Sequence, residues 1–183
     1  MTRHSRLESG FTLTEMMLTV AVLATITAMG VPVMQDLTAD LKVNEAARIV
    51  ERELQDARLR AVSANRVLRV RMNCPQTGEL RTVEYLASST VDTATNRCDA
   101  AVYPYPAPDR DILTRPNYDG PVRTLPRPAT VGTYIIEFHA DGTAKNVVSN
   151  VATTISTPIS ITITRNSRTR TVTVNGAGKI QLQ

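Results

Sequence analysis

The sequence predicts an α+β fold in which a long N-terminal helix packs on a C-terminal antiparallel β-sheet domain. Three observations support this prediction. Residues 16–34 form an uncharged apolar run, and residues 35–63 continue with apolar side chains at helical spacing. After Asn65 the apolar side chains alternate with a period of two, which is typical of β-strands.

The apolar run predicts one membrane span. Its nineteen residues, at about 1.5 Å each, approach the ~30 Å thickness of the hydrocarbon core. Arg3 and Arg6 precede the run against Glu8 alone, which favours a cytoplasmic N-terminus and an exported C-terminal part. A cleaved secretory signal fits poorly, because no small-x-small cleavage site ends the run.

An acidic side chain, Glu15, lies only four residues inside the helix expected to begin at Phe11. A carboxylate within a membrane costs at least ~2.5 kcal/mol, so Glu15 needs a partner. If Phe11 becomes the N-terminus, its ammonium group is the obvious partner, supplied by a neighbouring subunit. The alternative is that Glu15 lies at the headgroup boundary of an ordinary signal anchor.

The stretch 10–15 reads Gly-Phe-Thr-Leu-Thr-Glu between a short basic leader and the apolar run. It resembles the class III signal of type IV pilins and type II secretion pseudopilins. The resemblance implies that a prepilin peptidase cuts after Gly10 and methylates the new N-terminal Phe11. It also implies that Glu15 is the glutamate at the fifth mature position, and that Pro32 is the family's helix-loosening proline.

The helix is expected to continue beyond the membrane as an amphipathic segment over residues 35–65. Charged residues occupy the faces between its apolar positions. The predicted apolar stripe, which must pack on the sheet that follows, consists of Leu37, Leu41, Ala47, Val50, Leu54, Ala57 and Ala61. Gly30 and Pro32 are expected to weaken the helix between its two halves.

The strands are predicted from alternation and turn residues. A first hairpin covers residues 66–86, and residues 87–131, which contain most of the ten prolines, are expected to form a long surface loop with short strands at most. Strands are then predicted at residues 134–138 and 144–148. A final antiparallel set is expected at residues 159–164, 171–174 and 179–182, with a polar turn at 165–169.

This C-terminal half, with its Phe-x-x-x-Gly turn at 138–142 and its Gly-x-Gly-Lys-Ile ending at 176–180, resembles the H-type (GspH) pseudopilins and the FimT/FimU minor pilins. The resemblance implies a type IV pilin-like fold. The expected organisation is a leader at 1–10, a transmembrane helix half at 11–34, an amphipathic helix half at 35–65 and a periplasmic β-rich domain at 66–183.

Both cysteines, Cys74 and Cys98, fall in the part expected to be exported. An oxidising compartment permits a disulfide between them. Such a bond would join the first hairpin to the proline-rich loop. Two unpaired thiols are the alternative.

Nothing in the sequence indicates an enzyme, a metal site or a cofactor. The histidines are His4, in the leader, and His139, alone at a strand end, and neither has metal ligands at a suitable spacing. No nucleophile-elbow or phosphate-binding loop pattern occurs. We therefore expect a role in assembly or binding.

The basic residues are concentrated at the C-terminal end, since no acidic residue follows Asp141. Guanidinium groups at a hairpin tip can grip phosphates. FimT-type minor pilins carry a DNA-binding Gly-Arg-x-Arg motif in this region, and residues 167–170 here read Ser-Arg-Thr-Arg. The candidate nucleic-acid residues are Arg165, Arg168, Arg170 and Lys179. The alternative is a solvated turn, or one that meets acidic residues of a neighbouring pilin.

The sequence thus predicts a minor pilin or pseudopilin in the tip or priming complex of a filament. It would be anchored in the bacterial inner membrane by one span, with its C-terminal domain in the periplasm. Its expected partners are the prepilin peptidase, other pilins or pseudopilins and, for a role in transformation, double-stranded DNA. Two alternatives remain: a pseudopilin that acts only in type II secretion, and a periplasmic binding domain on an uncleaved signal anchor.

Overall fold

The computed structural model describes residues 10–108 and 115–183, so the predicted leader, apart from Gly10, lies outside the described residues. The described residues form two helices and ten strands. Their bounds are α1 Leu13–Ala64, β1 Leu68–Met72, β2 Glu79–Glu84, α2 Ser89–Asp92, β3 Val122–Thr124, β4 Thr130–Val131, β5 Ile135–Phe138, β6 Ala144–Val148, β7 Val151–Thr154, β8 Ile159–Arg165, β9 Arg168–Val174 and β10 Ile180–Leu182.

Helix α1 is continuous through Gly30 and Pro32, although both residues lower helix stability. The contacts divide the chain into two compact units between Thr38 and Ala39. Helix α1 contributes its first part to one unit and its second part to the other.

The N-terminal unit is apolar and exposed. Among the described helices, α1 alone is long and apolar enough to cross a membrane, with a mean hydropathy of 2.0 in its most apolar 18-residue window and none of that window buried. The hydroxyl groups of Thr19, Thr25 and Thr27 donate to backbone carbonyls three or four residues earlier. This bonding leaves these polar groups satisfied without water, as a lipid environment requires.

The second unit, Ala39–Gln183, contains two antiparallel sheets. One has six strands in the order β3-β2-β1-β5-β6-β7, and the other has four in the order β10-β9-β8-β4. Every strand pair is antiparallel. Each sheet therefore consists of hairpins and neighbouring strands that need no helical crossover.

The hydrophobic core lies between α1 and the two sheets. The helix contributes fully buried small and branched side chains spaced alternately four and three residues apart: Val43, Ala47, Val50, Leu54, Ala57 and Ala61. Ala46, next to Ala47, is also fully buried. The facing strands contribute Leu68, Val70 and Phe138 from the larger sheet, and Ile161, Ile163, Val172 and Val174 from the smaller. Leu54→Ala would cost about 2 to 5 kcal/mol, the range for a fully buried leucine.

The predicted stripe on α1 is correct from Ala47 to Ala61 and wrong at Leu37 and Leu41. Those two side chains are 55% and 67% exposed. The buried stripe within the second unit instead begins with Ala39, and the core cluster that includes the strands begins with Val43 and Ala46.

Residues 87–131 differ from the surface loop that the prolines predict. Arg81 and Arg97 are almost fully buried and hold this segment against the sheet. The Arg81 guanidinium donates to the backbone carbonyls of Cys98, Tyr103 and Gly120. Residues 98–103 therefore form a layer on the face of the larger sheet opposite α1, since Thr82, the neighbour of Arg81 on β2, donates to Glu53 of α1.

Two turns of the C-terminal strands contain no glycine at their left-handed positions. Ser149 and Asn150 (φ 49° and 66°) connect β6 to β7, a strand that the sequence analysis did not predict. Asn166 and Ser167 (φ 47° and 66°) form the turn between β8 and β9. The predicted polar turn at 165–169 is therefore wrong in extent, because Arg165 and Arg168 already pair as strand residues.

Gly178 allows a close approach between two turns. Its φ is 72°, and a Cβ atom there would lie 2.2 Å from the Gly142 carbonyl oxygen and 2.7 Å from Arg58 Nε. Arg58 of α1 donates to the carbonyls of Gly142 and Ala177 at 3.0 and 3.3 Å. This arginine thus joins the helix to a turn of each sheet.

Candidate functional site

The predicted processing and assembly residues lie at the start of α1. Thr12 and Glu15 form a reciprocal capping box: the Glu15 amide donates to Thr12 Oγ1, and the Thr12 amide donates to Glu15 Oε2, each at 3.3 Å. The Thr12 hydroxyl also donates to Glu15 Oε2 at 3.3 Å. The Glu15 carboxylate therefore has local partners within its own chain.

The sequence analysis assigned Glu15 only to a neighbouring subunit and missed the capping box. The Thr-x-x-Glu spacing of residues 12–15 is the signal that could have revealed it. The capping box and an intersubunit pair are compatible, because an ionised carboxylate has about four acceptor positions.

The apolar side chains that follow Gly10 are exposed in the N-terminal unit. Phe11 and Leu13 are each 76% exposed. The remaining large apolar side chains in this unit that are more than half exposed are Met16, Met17, Leu18, Val20, Val22, Leu23, Ile26, Met29, Val31, Met34 and Leu37. A surface of this extent is far larger than the apolar patches found on most soluble monomers.

Cys74 and Cys98 are paired in the structure, with their Cα atoms 5.5 Å apart. Both side chains are buried. The bond closes a separation of 24 residues and joins the turn after β1 to the layer that covers the larger sheet. Its formation in the cell remains a proposal that depends on an oxidising compartment.

The predicted arginine cluster lies on the β8–β9 hairpin. Arg165 and Arg168 are paired directly across the two-residue turn, and Arg170 is paired with Ile163. Paired residues in an antiparallel sheet project to the same face, as do residues two apart on one strand. All three arginines therefore lie on the face that carries the buried Ile161 and Val172.

That face packs on α1, and the helix supplies partners for two of the arginines. Arg168 Nη1 lies 2.9 Å from both carboxylate oxygens of Asp40. Arg170 Nε donates to Asn44 Oδ1 at 2.6 Å. Because Asp40 and Asn44 are one helical turn apart, they match the two-residue spacing of the arginines on β9.

The remaining predicted residues occupy different environments. Arg165 Nε is buried and has no hydrogen-bond partner among the described residues. Lys179 is exposed and lies at the β9–β10 turn, at the opposite end of β9 from Arg168. Seven strand residues at roughly 3.4 Å each place it about 20 Å away. The structure thus brings the three arginines together and separates Lys179 from them.

The sequence analysis took the C-terminal positive charge to be uncompensated, because no acidic residue follows Asp141. This premise is wrong for Arg168, since Asp40 lies 128 residues earlier in the chain. No local sequence signal connects the two residues.

Among residues 10–108 and 115–183, no group of three or more histidine, cysteine or acidic side chains could hold a metal ion. The N-terminal segment and the arginine hairpin therefore remain the two candidate sites that the sequence predicted.

Comparison with solved structures identifies the fold. The type IV minor pilin FimU of Pseudomonas aeruginosa, in one crystal form, has a TM-score of 0.50 and 20% identity, covering 80% of this chain and 92% of FimU. A second FimU crystal form gives 0.47 and 20%, covering 76% and 91%. The minor pseudopilin EpsH of the Vibrio cholerae type 2 secretion system gives 0.45 and 14%, covering 78% and 96%.

No protein-family model matches the chain. No curated protein matches it either. The likeness at a TM-score of 0.50 shows the fold. It confirms the prediction that a long N-terminal helix and an antiparallel sheet domain are combined in a type IV pilin-like fold.

Proposed function

We propose that the chain is a minor pilin or pseudopilin, a structural subunit of the tip or priming complex of a type IV pilus or type II secretion pseudopilus. A prepilin peptidase would cut between Gly10 and Phe11 and methylate Phe11. The mature subunit would span the inner membrane once, with residues 66–183 in the periplasm, until it enters a filament.

The observation that carries this proposal is the exposure of the apolar side chains of residues 11–31 and of Met34. At about 25 cal/mol per Å² of apolar surface, leaving them in water would be costly. Lipid tails before assembly and neighbouring helices in a filament both cover such a surface. The fold shared with a minor pilin adds support for the filament.

A pseudopilin confined to type II secretion is included in this proposal, because both filament systems use such subunits. A binding domain on an uncleaved signal anchor is the rival. The capping box of residues 12–15 would serve either protein, since it stabilises a helix start wherever the chain begins.

Recovery from filaments tests the proposed role. In native cells, we expect the chain in sheared-filament fractions, and we expect its loss from those fractions in cells that lack the assembly ATPase. An inner-membrane protein of similar abundance serves as the contamination control. Equal recovery from both strains would contradict a filament role.

We propose DNA contact, through the arginines of the β8–β9 hairpin, as a second function of the chain. Three guanidinium groups share one face, Arg168 is paired with the carboxylate of Asp40, and Arg165 Nε lacks a partner among the described residues. The ion pair between Arg168 and Asp40 is partly exposed, with 38% and 37% of the side chains accessible. Such pairs are worth about 0 to 1 kcal/mol, so a phosphate could displace the carboxylate.

We expect full-length protein in neutral detergent to bind double-stranded DNA without sequence preference, at best in the ~10⁻⁴ to 10⁻⁶ M range. Three phosphate contacts predict a log–log salt slope of about −2.7. Arg168→Gln with Arg170→Gln should weaken binding by an order of magnitude or more. Asp40→Asn should strengthen it by up to about fivefold, because it removes one carboxylate that competes with phosphate for Arg168.

Fluorescence anisotropy at low salt measures these changes, and Lys179→Gln is the matched control. That substitution removes the charge of another predicted DNA-contacting residue, which lies far from the arginine face. It should therefore reduce affinity much less than the double variant. Equal binding by wild type and the double variant would reject the DNA contact. The arginines would then serve only to hold strand β9 against α1, through Asp40 and Asn44.

A further inference from the structure

A groove on the larger sheet lies outside the residues discussed so far. Its floor is formed by β1 and the start of β5, and one wall is formed by residues 95–99, which the disulfide places against the turn after β1. We name it the Arg71 groove; the lining residues that carry the argument are Arg71, Gln76, Thr95, Asn96, Asp99 and Thr133. Its volume of about 600 Å³ is in the range of small-molecule sites.

The neighbouring arginines on this side of the sheet are paired. Arg69 Nε lies 2.7 Å from a carboxylate oxygen of the buried Glu137. Arg97 donates from Nη2 to Asp119 Oδ1 at 2.7 Å, and a second ion pair joins the same two side chains. Arg71 lines a smaller cavity together with Arg69 and Arg97, and in the described part of the chain it makes no hydrogen bond or ion pair.

The environment of Arg71 is therefore unfavourable for its charge. Burial, followed by the positive charges of Arg97 and Arg69, lowers the pKa of Arg71 below its ordinary value, and only Asp92 opposes this effect. The guanidinium remains protonated at neutral pH, because arginine side chains are not deprotonated in proteins. An anion in the groove would supply the missing opposite charge.

The other lining groups indicate which anion fits. Gln76, Thr95, Asn96 and Thr133 are exposed and offer neutral donors and acceptors around Arg71. Asp99 is the one carboxylate among the described lining residues, so their formal charge together with Arg71 is zero. A neutral polar site with a single guanidinium suits a monoanionic carboxylate better than a phosphate of about two negative charges.

We propose that the Arg71 groove binds an acidic saccharide. The Arg71 guanidinium would donate two hydrogen bonds to the carboxylate of a uronic acid unit, in the bidentate geometry typical of arginine and carboxylates. Its hydroxyl groups would exchange hydrogen bonds with Asn96, Thr95 and Gln76. The described residues place no large aromatic side chain in the groove lining, so binding rests on polar contacts and is weak for a single sugar unit.

Saturation-transfer NMR with full-length protein, in micelles of a detergent without a sugar headgroup, tests the proposal. The probes are D-glucuronate, D-glucose and inorganic phosphate. We expect glucuronate to bind, glucose to bind at least about tenfold more weakly and equimolar phosphate to leave the glucuronate signal unchanged. Arg71→Gln should lower glucuronate affinity at least about tenfold, the effect of losing a charge-assisted hydrogen bond.

Arg127→Gln is the matched control, because Arg127 is exposed and lies outside the groove. It should bind glucuronate as the wild type does. Asn96→Ala alters an exposed wall residue and should weaken glucuronate severalfold, and it decides the question if Arg71→Gln fails to fold. The proposal is overturned if glucuronate binds Arg71→Gln or Asn96→Ala as tightly as wild type, or if phosphate displaces it.

Discussion

Glu15→Gln should leave the protein processed and inserted in the membrane, yet absent from filaments. Glutamine retains the acceptor that caps the Thr12 amide, so the helix start persists. It removes the negative charge, however, and if Glu15 pairs with the Phe11 ammonium of a neighbouring subunit as proposed, that ammonium is left without a partner in a dry environment. Breaking such a buried pair costs about 3 to 5 kcal/mol, which is more than a hundredfold in an assembly equilibrium.

Glu15→Ala separates the two roles of this residue. Alanine removes both the charge and the capping acceptor, and losing the cap alone costs about 0.5 to 2 kcal/mol. If pairing with Phe11 is the main role, both variants should be excluded from filaments to a similar degree. If capping is the only role, glutamine should behave as wild type and alanine should show a partial defect. Quantitative immunoblotting of sheared filaments distinguishes these results.

Asp119→Ala is expected to cause the largest loss of stability in the β-rich unit. Asp119 is 5% exposed. Its carboxylate forms an ion pair with Arg97 and accepts a hydrogen bond from the Glu84 amide at 2.8 Å. Removing it leaves the charge of Arg97 buried without its carboxylate, at a cost of about 3 to 5 kcal/mol. Denaturant titration of full-length protein, followed by circular dichroism, measures the change.

Cys98→Ser tests the disulfide, which is the second link, besides the buried arginines, between the larger sheet and the layer that covers it. Loss of a disulfide that closes a separation of 24 residues should cost about 3 kcal/mol in the chain-entropy model. Glu45→Ala, an exposed helix position, is the control and should change stability by less than about 0.5 kcal/mol. A change below about 1 kcal/mol for Asp119→Ala would show that the layer does not depend on the buried arginines. Cys98→Ser with unchanged stability would reject the disulfide proposal.

The elements that the sequence predicted well are those with strong local signals. The first half of α1 is an uninterrupted apolar run, and the first hairpin follows alternation beside a turn with proline and glycine. Strand β6 alternates less clearly and was signalled by the preceding Asp141-Gly142 turn. Strand β7 and the exact β8–β9 turn escaped prediction because Asn150 and Ser167 adopt left-handed conformations without a glycine to signal them.

The contacts that could not be predicted join residues far apart in the chain. Local sequence patterns do not predict the burial of Arg81 and Arg97. Their burial depends on carbonyl and carboxylate partners such as Gly120 and Asp119, which lie in a loop far along the chain. The pairing of Arg168 with Asp40 likewise depends on how β9 packs against α1. Composition could place positive charge at the C-terminal end, but the fold decides which of those charges are already paired.

The N-terminal residue of the mature chain tests the central claim most directly. Intact-mass measurement on protein extracted from native membranes should show a chain that begins at Phe11 and carries one added methyl group. The unprocessed chain, with residues 1–10 retained, should accumulate only in cells that lack the prepilin peptidase. A full-length mass in cells with an active peptidase would contradict the account and favour an uncleaved signal anchor.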